Sequence, residues 1–163
     1  MKEETNGLNL SIRRAEAADE PFLEAVYADS RRDEIAILGW SKEQENAFFT
    51  MQFRMQTQAY KWQFPDADYY VVELNQKPIG RLIVNRAEDE VRLVDVALLS
   101  EFRGTGSGTF LLRELQAEAA VVNKPLTLKV LKTNRRAALL YERCGFVVTG
   151  ASDLYLAMQW RNI

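Results

Sequence analysis

The sequence predicts an α+β fold: a single domain over residues 1–163, on a mixed, mostly antiparallel sheet of about six or seven strands with helices on both faces. Three observations predict it. The hydrophobic period switches along the chain between two residues and about 3.6 residues, with tight turns between the two-residue stretches. A glycine-rich turn at 104–108 joins an apolar strand to a leucine-rich helix. No linker, repeat or low-complexity segment interrupts the chain, and 163 residues is one ordinary domain with room for a real core.

Residues 8–13 alternate apolar and polar side chains, as a half-buried strand does. Residues 17–30 read as a helix with Phe22, Leu23, Val26 and Tyr27 on one face. Ser41 is the N-cap of a second helix, and Gln44 completes a capping box. That helix runs toward Tyr60 and holds more large side chains than one buried face needs. Phe48, Phe49 and Phe53 are assigned to the core, while Gln56, Tyr60 and Phe64 either shape a cavity or join that core. Beyond Pro65 and Asp66 the period shortens. Strands follow at 69–74, 78–85 and 91–99, joined by Asn75-Gln76-Lys77 and by Glu88-Asp89-Glu90. A helix at 104–122, a strand at 126–131, a helix at 134–143 ended by Gly145, and strands at 146–148 and 154–160 complete the order.

Composition excludes whole classes of chemistry. The chain has no histidine, so histidine bases, Ser-His-Asp triads and histidine-based zinc sites are ruled out. With one cysteine there is neither an internal disulfide nor a thiolate cluster, and no metal is expected. A net charge of −2 offers no reason to expect nucleic acid. No apolar run is long enough for a membrane span, and the N-terminus lacks a secretory signal, so a cytoplasmic location is expected. A homodimer is left open.

The strand–glycine turn–helix junction at 94–108 points several backbone N–H groups at one place, where the helix dipole adds partial positive charge. Such a junction suits a phosphate group, and glycine lets it approach the main chain closely.

Arg103-Gly104-Thr105-Gly106-Ser107-Gly108 fits the pattern R/Q-x-x-G-x-G/A, and residues 134–146 follow N-x-x-A-x-x-x-Y-E-x-x-G-F through Asn134, Ala137, Tyr141, Glu142, Gly145 and Phe146. In both blocks the chain resembles the GNAT superfamily of acetyl-CoA-dependent N-acetyltransferases. The resemblance implies a coenzyme A-binding core at about 91–149 and acceptor-side helices at about 17–64. It implies that Arg103, Gly104, Thr105, Gly106, Ser107 and Gly108 hold the pyrophosphate of acetyl-CoA, and that Val96, Ala97 and Leu98 hold the pantetheine arm and thioester carbonyl through main-chain groups. Asn134 is carried over as a pantetheine contact that also caps its helix, and Tyr141 as the acid that protonates the leaving thiolate. Lys132, Arg135 and Arg136 are placed near the ligand's 3′-phosphate. The implied reaction is direct acetyl transfer, in a ternary complex, to a primary amine of a small molecule or peptide. The alternative is a non-catalytic acyl-CoA-binding or sensing module of the same fold.

The chain departs from the pattern at the proton acceptor. Positions where relatives carry a base hold Lys129, Arg92 and Val94. Strand alternation sends Asp95 to the face opposite Arg92, as a buried hydrogen-bonding residue. The base is therefore left between water, a carboxylate from the run at 31–40, Asp33 or Glu34, and Asp95 itself. Arg31, Arg32 and Arg92 suit an acceptor that carries a carboxylate. Cys144, at a helix C-terminus where the dipole disfavours a thiolate, is not expected to form an acyl intermediate.

Overall fold

The computed structural model describes residues 2–5 and 8–163. Its elements are β1 (Lys2–Thr5), β2 (Leu8–Arg14), α1 (Glu20–Ala36), α2 (Lys42–Gln63), β3 (Asp68–Leu74), β4 (Lys77–Arg86), β5 (Val91–Leu98), α3 (Ser107–Val121), β6 (Leu126–Leu131), α4 (Arg135–Arg143), β7 (Val147–Ala151) and β8 (Tyr155–Trp160). The strands form one sheet in the order β1-β2-β3-β4-β5-β6-β8-β7. It holds β1 in addition to the strands read from the pattern, because Lys-Glu-Glu-Thr carries no apolar alternation. Every neighbouring pair is antiparallel except β5 with β6, between which α3 is the crossover.

Helices cover both faces. Phe110, Leu111, Leu112, Leu115 and Ala119 of α3 and Tyr141 of α4 pack against Leu82, Val84, Leu93 and Leu128 in the main core. Burying each of the large apolar side chains contributes about 1.5–3 kcal/mol. On the other face α1 lies over β4 and β5, and Tyr27 and Ile35 of α1 meet Phe49 and Phe53 of α2 in a second cluster.

Local chemistry sets the element ends. The Gln44 N–H donates to Ser41 Oγ at 3.2 Å and the Ser41 N–H donates to Gln44 Oε1 at 2.9 Å, the reciprocal box read from the sequence. Asn75 and Gln76 take φ of 52° and 67°, the left-handed pair of a two-residue hairpin turn. Gly145, at φ 91°, lets the Phe146 N–H turn back to the Tyr141 carbonyl at 3.0 Å and close α4.

One boundary differs from the pattern reading. Residues 31–36, assigned to a charged loop, are the last turns of α1. No Gly or Pro stops the helix before Gly39, and burial of Ile35 in the second cluster holds its end down.

Before α1, a 3-10 turn at Ala17–Asp19 is pinned by Asp19, which accepts from Nη1 and Nη2 of Arg13, each at 2.8 Å, and from the Glu16 N–H at 2.7 Å. Arg13 first, and then the Glu16 N–H, hold the Asp19 carboxyl at about 2, below its ordinary value. The sign follows from that depression: stability from this group is present above about pH 4 and is lost as pH falls through the folded value. Thermal melts of Asp19→Asn and the parent should therefore differ most near pH 5, and the gap should close as pH drops toward 2.

Candidate functional site

β5 and β6 pair over two positions only, Val91 with Leu126 and Arg92 with Thr127. Beyond them the strands part. β4 follows β5 to Leu98 and β8 follows β6 to Leu131, so neither is released from its other neighbour. The flank of β5 toward β6 is thus an open edge of main-chain N–H and C=O groups, inside the sheet rather than at its rim. Val96, Ala97 and Leu98 lie on that edge.

The ladder between β4 and β5 carries a bulge. Ile83 pairs with Asp95 but Val84 pairs with Leu93, leaving Val94 as the additional residue. The bulge shifts the phase of alternation. Arg92, paired with Asn85, and Asp95, paired with Ile83, consequently face the same side, the side covered by α1 and α2. This corrects the placement of Asp95 on the opposite face, which assumed an unbroken ladder.

Asp95 meets a buried guanidinium. Arg81, 5% exposed, donates from Nε to Asp95 Oδ2 at 2.8 Å and from Nη2 to the same oxygen, while Nη2 also donates to Gln56 Oε1 of α2 at 2.9 Å. The ring of Phe53 lies 5.9 Å from that guanidinium. Gln56 and Phe53 thus hold the Arg81–Asp95 pair in place. Burial and then the Asp95 charge push the Tyr60 phenol up; the same two causes in the same order, followed by Cys144, push Tyr141 up. Tyr141 of α4 packs in the main core, on the face of the sheet opposite the Arg81–Asp95 pair and α2.

The glycine turn lies just past the end of β5. Gly104 and Gly106 take φ of 75° and 89°, which other residues rarely adopt. A Cβ at Gly106 would meet nothing within 4 Å, and one at Gly104 would meet only Arg136 Nη2 at 3.8 Å. The ground over the turn is open, with a guanidinium at its edge. Thr105 Oγ1 donates to the Phe102 carbonyl at 2.7 Å and contacts Ser107 Oγ at 2.9 Å, so these hydroxyls brace the turn. No side chain caps the first N–H groups of α3, which leaves them to an anion. From α1, Asp29 accepts from Ser100 N–H at 2.8 Å and Ser100 Oγ at 3.0 Å, and stands 3.8 Å from Arg103 Nη2.

The remaining predicted residues divide clearly. Asn134 caps α4, its Oδ1 accepting from the Ala137 N–H at 3.2 Å. Cys144 is buried, and its carbonyl accepts from Gln116 Nε2 of α3 at 2.7 Å. Asp33 and Glu34 do not line a loop: both are exposed on α1, where Glu34 accepts from Arg31 at 3.5 Å. Among the described residues no cluster of His, Cys, Asp and Glu could hold a metal ion, and no helix is long and apolar enough to cross a membrane. The sequence reading passed over Arg81 and Gly80. Gly80 pairs with Leu98, where a Cβ would collide with the Ala97 carbonyl and stand 2.7 Å from Leu98 Cδ2. A glycine inside a strand pattern was the available signal for that close approach.

Residues 65–148 match the family model described as an acetyltransferase (GNAT) domain. The whole architecture is similar to that of solved structures. The PaiA N-acetyltransferase of Thermoplasma acidophilum, in complex with coenzyme A, aligns at 17% identity and a TM-score of 0.72, over 94% of this chain and 99% of that one. An acetyltransferase from Thermus thermophilus aligns at 17% identity and 0.67, over 94% and 97%. A ribosomal-protein-alanine N-acetyltransferase from Escherichia coli aligns at 21% identity and 0.60, over 93% of each chain. At these identities the likeness establishes the fold. No curated protein matches the chain in sequence.

Gly80→Ala tests the close approach of β4 to the end of β5. The added methyl group should lower stability by about 1–3 kcal/mol, read as a fall in the urea midpoint without a change in slope.

Proposed function

The chain belongs to the GNAT acetyltransferase family, and from that premise we propose that it transfers the acetyl group of acetyl-CoA directly to a primary amine within a ternary complex. One observation carries the reading: the open β5 edge leads straight into the uncapped glycine turn, with Asp95 on one face of the sheet and Tyr141 on the other.

Acetyl-CoA supplies an acetyl group already activated as a thioester. The residues present fit it. The open ground over Gly104 and Gly106, flanked by Arg136, suits the pyrophosphate. The main chain of Val96, Ala97 and Leu98 suits the pantetheine arm as an added strand, and Asn134, the cap of α4, is assigned to the same arm by the family pattern. A backbone N–H of this edge polarises the thioester carbonyl, a contribution of about 3–4 kcal/mol to lowering the barrier.

Proton transfer falls to two side chains. Asp95, facing the acceptor side, takes the proton that the amine loses on attack, and Arg81 and Gln56 fix its orientation. Both bonds from Arg81 fall on Oδ2, so Oδ1 is the oxygen facing that task. Tyr141 is held protonated by burial and by the facing Asp95, and gives its proton to the departing thiolate. The C–S bond breaks as the C–N bond forms, and solvent returns the proton to Tyr141.

Free-thiol release from acetyl-CoA over an amine panel tests this. Tyr141→Phe and Asp95→Asn should each cut kcat by about 100-fold while coenzyme A affinity, measured by calorimetry, stays within about twofold. An affinity loss matching the rate loss would remove the catalytic assignment. Coenzyme A binding with no thiol release from any amine would favour a binding module instead.

A further inference from the structure

The acceptor side carries an imbalance of charge. Arg31 faces Glu34 at 3.5 Å, Arg32 faces Asp29 at 3.9 Å, and Arg81 is held by Asp95. Arg92 faces no carboxylate: its guanidinium lies 5.9 Å from the Phe64 ring and makes no hydrogen bond or ion pair among the described residues. Its Nε is buried without a partner, and so is the Tyr69 hydroxyl.

These two orphaned groups share one face with Asp95. Tyr69 and Asp95 both pair with Ile83, and Arg92 pairs with Asn85, two residues along β4. Arg92 is also aligned with Thr127 of β6, so Lys129, two residues on and exposed, adds a second uncompensated cation to that face. Glu90, which accepts from Thr127, offsets one of these two cations and leaves an excess of one.

We propose that the amine acceptor carries a carboxylate, bound by Arg92 with the Tyr69 hydroxyl while its amino group lies at Asp95. The chemistry follows from what the orphans lack. A guanidinium and a phenol both offer protons, and a carboxylate is an acceptor-only group matching the arginine fork. A single such fork balances one negative charge, which favours a carboxylate over a doubly charged phosphate. A polyamine would bring more positive charge to a face that already has an excess. Two residues of strand put Arg92 about 7 Å from Asp95 along the sheet, and the arginine's own length closes part of that. The span is that of an amino acid.

This inference rests on the amine-acetylation reading above. It is tested by comparing L-amino acids with their carboxamides, their decarboxylated amines, phosphoethanolamine and spermidine, using thiol release from acetyl-CoA. The carboxylate member of the best matched set should lead its carboxamide by at least about tenfold in kcat/KM, chiefly through KM. Arg92→Met, which keeps the apolar stem over Phe64, should bring that ratio toward one while coenzyme A still binds. Tyr69→Phe should reduce the same ratio by an independent route. Equal or better turnover of the carboxamides, phosphoethanolamine or spermidine would overturn the inference and leave amine acetylation standing. A ratio unchanged in both variants would overturn it too. Failure of every amine in the presence of bound coenzyme A would overturn the underlying reading and this one with it.

Discussion

The parting of β5 from β6 after two paired positions is the constraint on which the site depends. A parallel pair needs a crossover, and α3 supplies it, so the only parallel join in the described sheet is also where a helix N-terminus must arrive. Once the strands diverge, β5 has a polar edge that no neighbour satisfies, a few residues from a turn whose N–H groups are equally unclaimed. The bulge at Val94 and the missing side chain of Gly80 allow the end of β5 to bend away without leaving β4. The main core, meanwhile, fills the face beneath α3 and α4.

The two sides of that gap are built from different materials. Beside the glycine turn, the groups on offer are mainly backbone N–H groups, and the side chains there, Thr105 and Ser107, act as internal braces. Under α1 and α2 the work is done by side chains in a dry setting, where Arg81 is almost wholly enclosed and Gln56 and Phe53 restrict its movement. Burial is the first cause that raises the phenols of Tyr60 and Tyr141, and the charge of Asp95 is the second.

This division also explains what could be read from the sequence. Ser41 with Gln44, Asn75-Gln76 and Gly145 act within a few residues of themselves, so their roles were legible from spacing alone. The glycine turn and residues 134–146 were legible for the same reason. The bulge was not: in Leu93-Val94-Asp95-Val96-Ala97-Leu98, apolar residues occupy both phases, so an inserted residue leaves no mark on the pattern. With the phase lost, Asp95 went to the wrong face, and the pairing of Arg81 with it was invisible. The end of α1 was hidden by its charge, since Arg31, Arg32, Asp33 and Glu34 look like a solvated loop until Ile35 is seen to be buried.

Asp29 gives the fold a mechanical link between its halves. It belongs to α1, which covers β4 and β5, yet its carboxylate grips the backbone and hydroxyl of Ser100 at the entrance to the glycine turn. A tilt of α1 away from the sheet would have either to break both bonds or to draw the short 3-10 turn at Ser100–Phe102 with it. Helix and turn are tied together at one carboxylate.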